Sequence, residues 1–426
     1  MSGSPLNLLA TLCSLLLPAC GPAAAPEPAE HVVCRCTWSY FGDPRAIAVG
    51  RTLITGCVTR RGDPLVEARD LGSGRRRVSR PFDRLEADDH NNPSLVAFRG
   101  RVFAFSTPHS GYAYPRDRSS MVMRYRSTGA PLAAGGGWGP SRTVPLGKDC
   151  GLGYTYPNPV VAGDRLYLFM RGPCWSPYVT WTDDGVHWAR GRTLLRAPDP
   201  PGPRAVRPYA KYAPAADGSI LMLLSDGHPD SWRSGLYFAR FRDGRFFTAG
   251  GALVGDLADG PPAVRALERV HAPRDGRAWP MDVAEDAAGD PVAVYSSLDR
   301  ARDDTFHYAR FDAGRWETHA VADAGEDVFG YHNQGATLDH ADPRRVVLSR
   351  TVGDQHEIEQ RVTADGGRTW EAHALTRDSA EFNVRPVIPR GLAPEDRGTV
   401  LYVAGRARHY RDYDTRLVLL RGVRAG

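Results

Sequence analysis

Beyond residue 30 the chain is a succession of short apolar or alternating runs, among them Arg101–Ser106, Arg165–Met170, Ser219–Ser225, Asp290–Ser296 and Thr399–Val403, bounded by Gly, Pro, Asp or Asn. No stretch sustains the period of a long amphipathic helix, so the pattern predicts an all-β chain. One unit recurs: Leu236-Tyr237-Phe238-Ala239-Arg240-Phe241-Arg242-Asp243-Gly244-Arg245-Phe246 is matched by Phe306-His307-Tyr308-Ala309-Arg310-Phe311-Asp312-Ala313-Gly314-Arg315-Trp316. Each copy reads as a strand, a two-residue Asp-Gly or Ala-Gly turn, and an aromatic that starts the next strand, which is hairpin chemistry.

A second repeated element is Thr363-Ala364-Asp365-Gly366-Gly367-Arg368-Thr369-Trp370, with a looser copy, Asp183-Asp184-Gly185-Val186-His187-Trp188, that lacks a leading Ser or Thr. Both resemble Asp-boxes, the turns between outer strands of sialidase-like β-propellers. The Asp caps backbone amides, Gly takes a positive φ and Trp plugs between sheets, so the role is structural. About 390 residues in four-stranded units of roughly 50–60 residues make about seven blades. The predicted fold is a seven-bladed β-propeller; a two-domain sandwich is the fallback, although no linker divides the chain after residue 35.

With 42% hydrophobic and 24% charged residues in a chain of 426, gross disorder is excluded. The formal charge of +5 rests on 54 basic residues, nearly all Arg, which suits an anionic partner, although a base-composition bias explains the Arg excess equally well. No basic block with interleaved aromatics is present, so nucleic acid is not an expected partner. Leu8 to Leu17 is apolar but too short to span a bilayer, and it ends in Leu17-Pro18-Ala19-Cys20-Gly21. This resembles a bacterial lipobox, which implies a leader over 1–20, a lipid anchor on Cys20, and a secreted or cell-surface lipoprotein. The departure is that residues 1–7 carry no Lys or Arg. Residues 21–35 read as a tether and 36–426 as a single catalytic propeller. The five remaining cysteines suggest Cys150 with Cys174 and one of Cys34 or Cys36 with Cys57, leaving one over.

Polar segments open the expected blades at 88–93, 107–112, 154–158, 207–212, 226–229 and 331–335, and a propeller would gather them around one mouth. They supply His, Tyr and Arg, which suit proton abstraction beside a carboxylate: Arg offsets the acid, a Tyr or His takes the neighbouring proton, and a second such group protonates the departing oxygen. Flanking cations are expected to favour the Tyr phenolate. This is the logic of β-elimination at a uronic acid.

Trp38-Ser39-Tyr40-Phe41-Gly42-Asp43-Pro44-Arg45-Ala46, Asp88-Asp89-His90-Asn91-Asn92-Pro93, Tyr154-Thr155-Tyr156-Pro157-Asn158-Pro159, Arg207-Pro208-Tyr209-Ala210-Lys211-Tyr212, Asp226-Gly227-His228-Pro229 and His332-Asn333-Gln334-Gly335-Ala336 resemble the signatures of bacterial BNR-repeat propellers that contain ulvan lyases of polysaccharide lyase families 24 and 25. That resemblance, from about residue 36 to residue 410, implies an anionic polysaccharide of rhamnose and uronate as substrate. It implies His90, His109, Tyr156 and Arg171 as catalytic residues, Arg171 offsetting the carboxylate and His90 and Tyr156 sharing acid and base work in undetermined order. Asn91, Tyr154, Tyr209, Lys211 and Tyr212 would bind substrate. Catalysis would need no cofactor; a structural zinc or calcium at His228 is the metal expectation, and the chain is expected to act as a monomer.

Blander roles stand beside these. His90 and His109 could cap turns, Arg171 could form a structural ion pair, one of Tyr154 and Tyr156 should face a blade interior if they share a strand, and Lys211 could be a solvated charge. His228 and His332 are as well explained by buried hydrogen bonding. Trp175 and Trp232 could stack on sugars or fill cores. The rival functions are a glycoside hydrolase on the same scaffold and a non-catalytic glycan-binding lipoprotein.

Overall fold

The computed structural model describes, besides Met1, residues 29–109, 122–129, 136–147, 154–172, 175–197, 207–228, 233–272, 276–298, 304–325 and 335–424. Seven antiparallel sheets follow one another along the chain, and their first strands pack side by side around an axis as a seven-bladed β-propeller. No α-helix occurs among the described residues. The first three blades open with Ala46–Val49, Ser94–Phe98 and Thr155–Ala162, and the next three with Ala210–Pro214, Arg277–Glu285 and Ala336–Leu338. The last opens with Phe382–Val387.

The apolar runs seen in the sequence are second strands: Arg101–Ser106, Arg165–Arg171, Ile220–Ser225, Pro291–Leu298 and Val400–His409. A second strand is covered on both faces by neighbouring blades, so it reads as continuous apolar sequence rather than as alternation. Between the third and fourth blades, for example, Phe169, Val179, Tyr212, Met222 and Phe241 form one buried cluster.

The repeated unit forms the hairpin after the second strand in the fourth and fifth blades. Asp243 and Gly244 have φ of 49° and 86°, and Ala313 and Gly314 have 48° and 83°, the paired positive φ of the turn that matches strand twist. The fourth blade departs from the expected four strands, because Leu253–Asp256 and Glu268–His271 extend it to six. The Asp-boxes are as expected, with one correction. Thr363 Oγ1 accepts from Gly367 N at 2.8 Å and Asp365 Oδ1 from Thr369 N at 2.9 Å. In the earlier copy Thr182 fills the leading position, its Oγ1 accepting from Gly185 N at 2.9 Å. The turn is one residue shorter, which hid the match.

The ring closes through the N-terminus. Ala29–Cys34 is the outermost strand of the last blade, paired with Asp412–Arg421, and Tyr402 Oη donates to Glu30 Oε1 at 2.7 Å. Residues 29–34, expected to lie in the tether, are therefore a strand of the propeller. Cys36 lies at bonding distance from both Cys34 and Cys57, and the sulfurs of Cys34 and Cys57 are 3.0 Å apart. One sulfur makes one disulfide, so this cluster holds one bond and one sulfur left over. Cys13, Cys20, Cys150, Cys174, His332 and Trp232 lie outside the described residues.

One device recurs at the axis. In six blades an X-Pro pair stands just before the inner strand or within it: Asp43-Pro44, Asn92-Pro93, Tyr156-Pro157, Arg207-Pro208, Trp279-Pro280 and Arg385-Pro386. Proline withholds a donor and restricts the residue before it, so the ladder is interrupted there. Register shifts mark the Tyr156, Trp279 and Arg385 positions. Tyr156 and Arg385 sit at φ 57° and 56°, conformations that cost energy in a non-glycine residue and collect at functional sites.

Candidate active site

The site starts from the single helical turn Asp89–Asn91. Asp88 caps it in extended conformation, its Oδ1 accepting from His90 N at 3.0 Å. The same carboxylate holds two imidazoles: His90 Nδ1 is 2.6 Å from Oδ1 and His109 Nδ1 is 3.0 Å from Oδ2. The rings stack at 3.8 Å with an interplanar angle of 7°. With both Nδ1 atoms turned to Asp88, both Nε2 atoms face away from it. Asp89 Oδ1 lies 2.8 Å from His90 Nδ1 as a second carboxylate against the same ring nitrogen.

The two histidines differ in electrostatics. Burial alone would lower both. For His90 the carboxylates of Asp89 and Asp88 outweigh burial and push its pKa up to about 9. For His109 the nearby His90 charge adds to burial, and its pKa falls to about 4. Asp88, despite burial, is held well below the ordinary carboxylate range by the two histidines. At neutral pH the stack thus consists of one imidazolium and one imidazole.

Tyr156 stands 5.3 Å from the His90 ring and 6.2 Å from that of His109. The Arg171 guanidinium covers it at 4.6 Å and donates from Nη1 to Tyr209 Oη at 3.1 Å. The expected lowering of the Tyr pKa is corrected: burial, with Tyr209 beside it, outweighs Arg171 and raises Tyr156 well above its usual value. Its phenol keeps its proton. Trp175 packs against Arg171 at 4.9 Å and Arg207 at 3.5 Å. Tyr209 meets Phe41 at 4.7 Å and Trp279 at 4.9 Å.

Four expected substrate contacts are turned elsewhere. Asn91 spends its amide on the fold, donating to Glu86 O at 2.9 Å and accepting from His109 N at 2.9 Å. Tyr154, 1% exposed, packs in the core between blades and donates to Gly147 O. Tyr212, 3% exposed, stacks on Phe169 at 4.4 Å. Lys211, 2% exposed, is consumed by Asp43 and the Tyr40 carbonyl. His228 is edge-on to Tyr209 at 5.3 Å. It belongs to neither group of metal-ligating side chains found among the described residues. One such group is Asp88, His90 and His109; its 2.6–3.0 Å separations are hydrogen bonds between the donors themselves, and the nitrogens that face Asp88 are engaged.

The sequence reading gave no role to Asp88, Asp89, Tyr410, Arg411 or Arg385, all central here. Tyr410 meets both imidazoles edge-on, at 5.1 and 5.6 Å, and its carbonyl accepts from Asp89 N at 2.9 Å. The acid pair beside His90 was a signal; for the last-blade residues only Arg385-Pro386, in the recurring X-Pro frame, was one. A concavity of about 1210 Å³ lies elsewhere, between the outer strands of the last two blades. Its Tyr402–Glu30, Arg416–Glu381 and Asn383–Glu357 pairs satisfy one another, whereas the mouth presents two imidazole edges, so the chemistry is assigned to the mouth.

Fold and site together define a sialidase-like β-propeller with a His, Tyr and Arg centre at one mouth. Within that class the chain belongs to the BNR repeat-containing family, whose model matches residues 54–324. No curated protein sequence matches it. Its fold is similar to that of a solved polysaccharide lyase of the PL25 ulvan lyase family, at 13% identity and a TM-score of 0.72 over 92% of this chain and 94% of that one. A PL25 ulvan lyase bound to -[GlcA(1-4)Rha3S]- gives a TM-score of 0.71 at 13% identity, covering 94% and 95%.

Proposed function

We propose that the protein is a polysaccharide lyase that cleaves an anionic, uronate-containing polysaccharide, ulvan-like with a rhamnose–uronate linkage, by β-elimination at this mouth. The observation that carries the reading is the stacked pair of histidines sharing Asp88 beside Tyr156 and Arg171; the carboxylates raise His90, whereas burial and the His90 charge lower His109. A uronate carboxylate is offset by Arg171 and the His90 imidazolium, which stabilise the charge that builds as the C5 proton leaves. Neutral His109 takes that proton at Nε2, the electron pair forms the C4–C5 double bond, and the C4–O bond breaks. Tyr156 gives its phenolic proton to the departing oxygen. Exchange with solvent then returns a proton to Tyr156 and removes one from His109.

This assigns the base to His109, where the sequence had pointed to His90 or Tyr156. A histidine held between two carboxylates keeps its proton, and a phenol above its usual pKa is a donor. Tyr209 orients Arg171. Export to the cell surface, with an anchor on Cys20, belongs to the same reading, because a polymer is met outside the cell.

The rival hydrolase has less support. Most glycosidases use two carboxyl groups facing the bond from either side, whereas Asp88 and Asp89 are adjacent, buried and engaged by His90, His109, Arg385 and Arg411. The test is a panel of uronate glycans followed by ultraviolet absorbance of the conjugated unsaturated uronate. The reading predicts absorbance on at least one. Sugar release without absorbance would instead support a hydrolase, and binding without any cleavage a glycan-binding protein.

A further inference from the structure

Two buried carboxylates lie beneath the imidazole stack, and their combined charge would draw protons onto both rings. The last blade supplies the counter-charge. Arg385 Nη1 reaches Asp89 Oδ2 at 2.6 Å, and its guanidinium rests on the Tyr40 ring at 4.7 Å. Arg411 Nε reaches Asp88 Oδ2 at 3.1 Å from the tip of the hairpin between the last two strands. Both arginines come from more than 290 residues down the chain, so they meet the aspartates only in the closed ring.

We propose that Arg385 and Arg411 are positioning residues: by pairing with Asp89 and Asp88 they balance the two carboxylates, so that the histidine stack holds one proton and His109 stays a base. The inference rests on the lyase reading for its purpose but not for its test. Among the described residues the groups facing the stack come from three places. Its own loop brings Asp88, Asp89 and, near Arg411, Glu86; the third blade brings Tyr156 and Arg171; the last blade brings Tyr410 and the two arginines. With both aspartates ionised and His90 charged, the arginines turn a net negative cluster into a net positive one. Each also fixes its carboxylate: Asp88 offers one oxygen to each imidazole while Arg411 holds the second, and Asp89 is held at Oδ2 with Oδ1 left toward His90.

Arg385 is buried and its loss threatens folding, so half-exposed Arg411 carries the test. Histidine ring signals of the full chain are titrated by NMR in the wild type, Arg411→Met and Arg411→Lys, alongside the pH profile of kcat/KM. Removing a partly screened cation near the stack should raise the His109 midpoint by about one pH unit in Arg411→Met, and the acid limb should follow it. Arg411→Lys, which keeps the charge, should stay with the wild type. An unmoved midpoint in Arg411→Met, or an equal rise in both variants, would overturn the proposal. The titration needs no substrate: failure to cleave any uronate glycan would defeat the lyase reading while the midpoints still decide the role of Arg411.

Discussion

At the scale of the residue, the site turns on two histidines that share Asp88 and differ in charge. The difference comes from the second carboxylate, Asp89, which faces His90 and not His109. It fixes a pH dependence. His109 must be neutral, so kcat/KM should rise as pH climbs through about 4, where it loses its proton. His90 must be charged, so activity should fall as pH climbs through about 9. A bell of kcat/KM between those limbs is the expected outcome, and a rate still rising through the upper limb would remove the imidazolium role. Replacing His109 by Ala should cost about 10²–10⁴ in kcat, the usual contribution of a positioned base, measured with the fold checked by circular dichroism.

The same scale shows why part of the site was legible and part was not. His90, His109 and Arg171 stand at strand ends in polar loops, and the sequence marks such positions. Tyr209, Lys211 and Tyr212 were read as one group, but a strand sends neighbours to opposite faces. Tyr212 therefore enters the core, and Lys211, on the face of Tyr209, meets Asp43 before it can meet a substrate. That pairing is long-range, and nothing in the local sequence announces it. The Tyr156 charge state was misjudged for a related reason: Arg171 is visible in the sequence, whereas the burial that outweighs it is not.

At the scale of the element, hairpins, second strands and Asp-boxes follow from local chemistry and were readable from turn residues and apolar runs. What local pattern did not reveal was the enlarged fourth blade, whose added strands are only four residues each, and the shortened Asp-box at Thr182. The Asp-box also yields a prediction. Asp365 takes hydrogen bonds from Thr369 N and Thr369 Oγ1 at 2.9 and 2.7 Å, and Trp370 packs against Tyr308 at 5.3 Å. Asp365→Ala should lower the midpoint of urea unfolding, because the turn loses the acceptor of its Thr369 amide and hydroxyl. Activity per folded molecule should be unchanged, because the turn lies on the outer strands.

At the scale of the whole molecule, the mouth is assembled from loops far apart in sequence, and the ring is what brings His90, Arg171, Trp279 and Arg385 together. Lys211 and Asp43 tie the fourth blade to the approach to the first through a buried ion pair. Burial lowers the Lys211 pKa against the pull of Asp43, so the pair holds only with both partners present. Lys211→Met should take one partner from Asp43, which keeps Arg45 at 2.8 Å, and cost about 1.5–3 kcal/mol in denaturant unfolding, with KM little changed. A large rise in KM at unchanged stability would return Lys211 to the substrate.

The central claim is that the mouth breaks a glycan by elimination, and the mass of the fragments tests it most directly. After digestion of a rhamnose–uronate polysaccharide, the expected result is new uronate ends one water lighter than hydrolysis would leave, formed far more slowly with His109→Ala. New uronate ends carrying the full mass of hydrolysis products would contradict it.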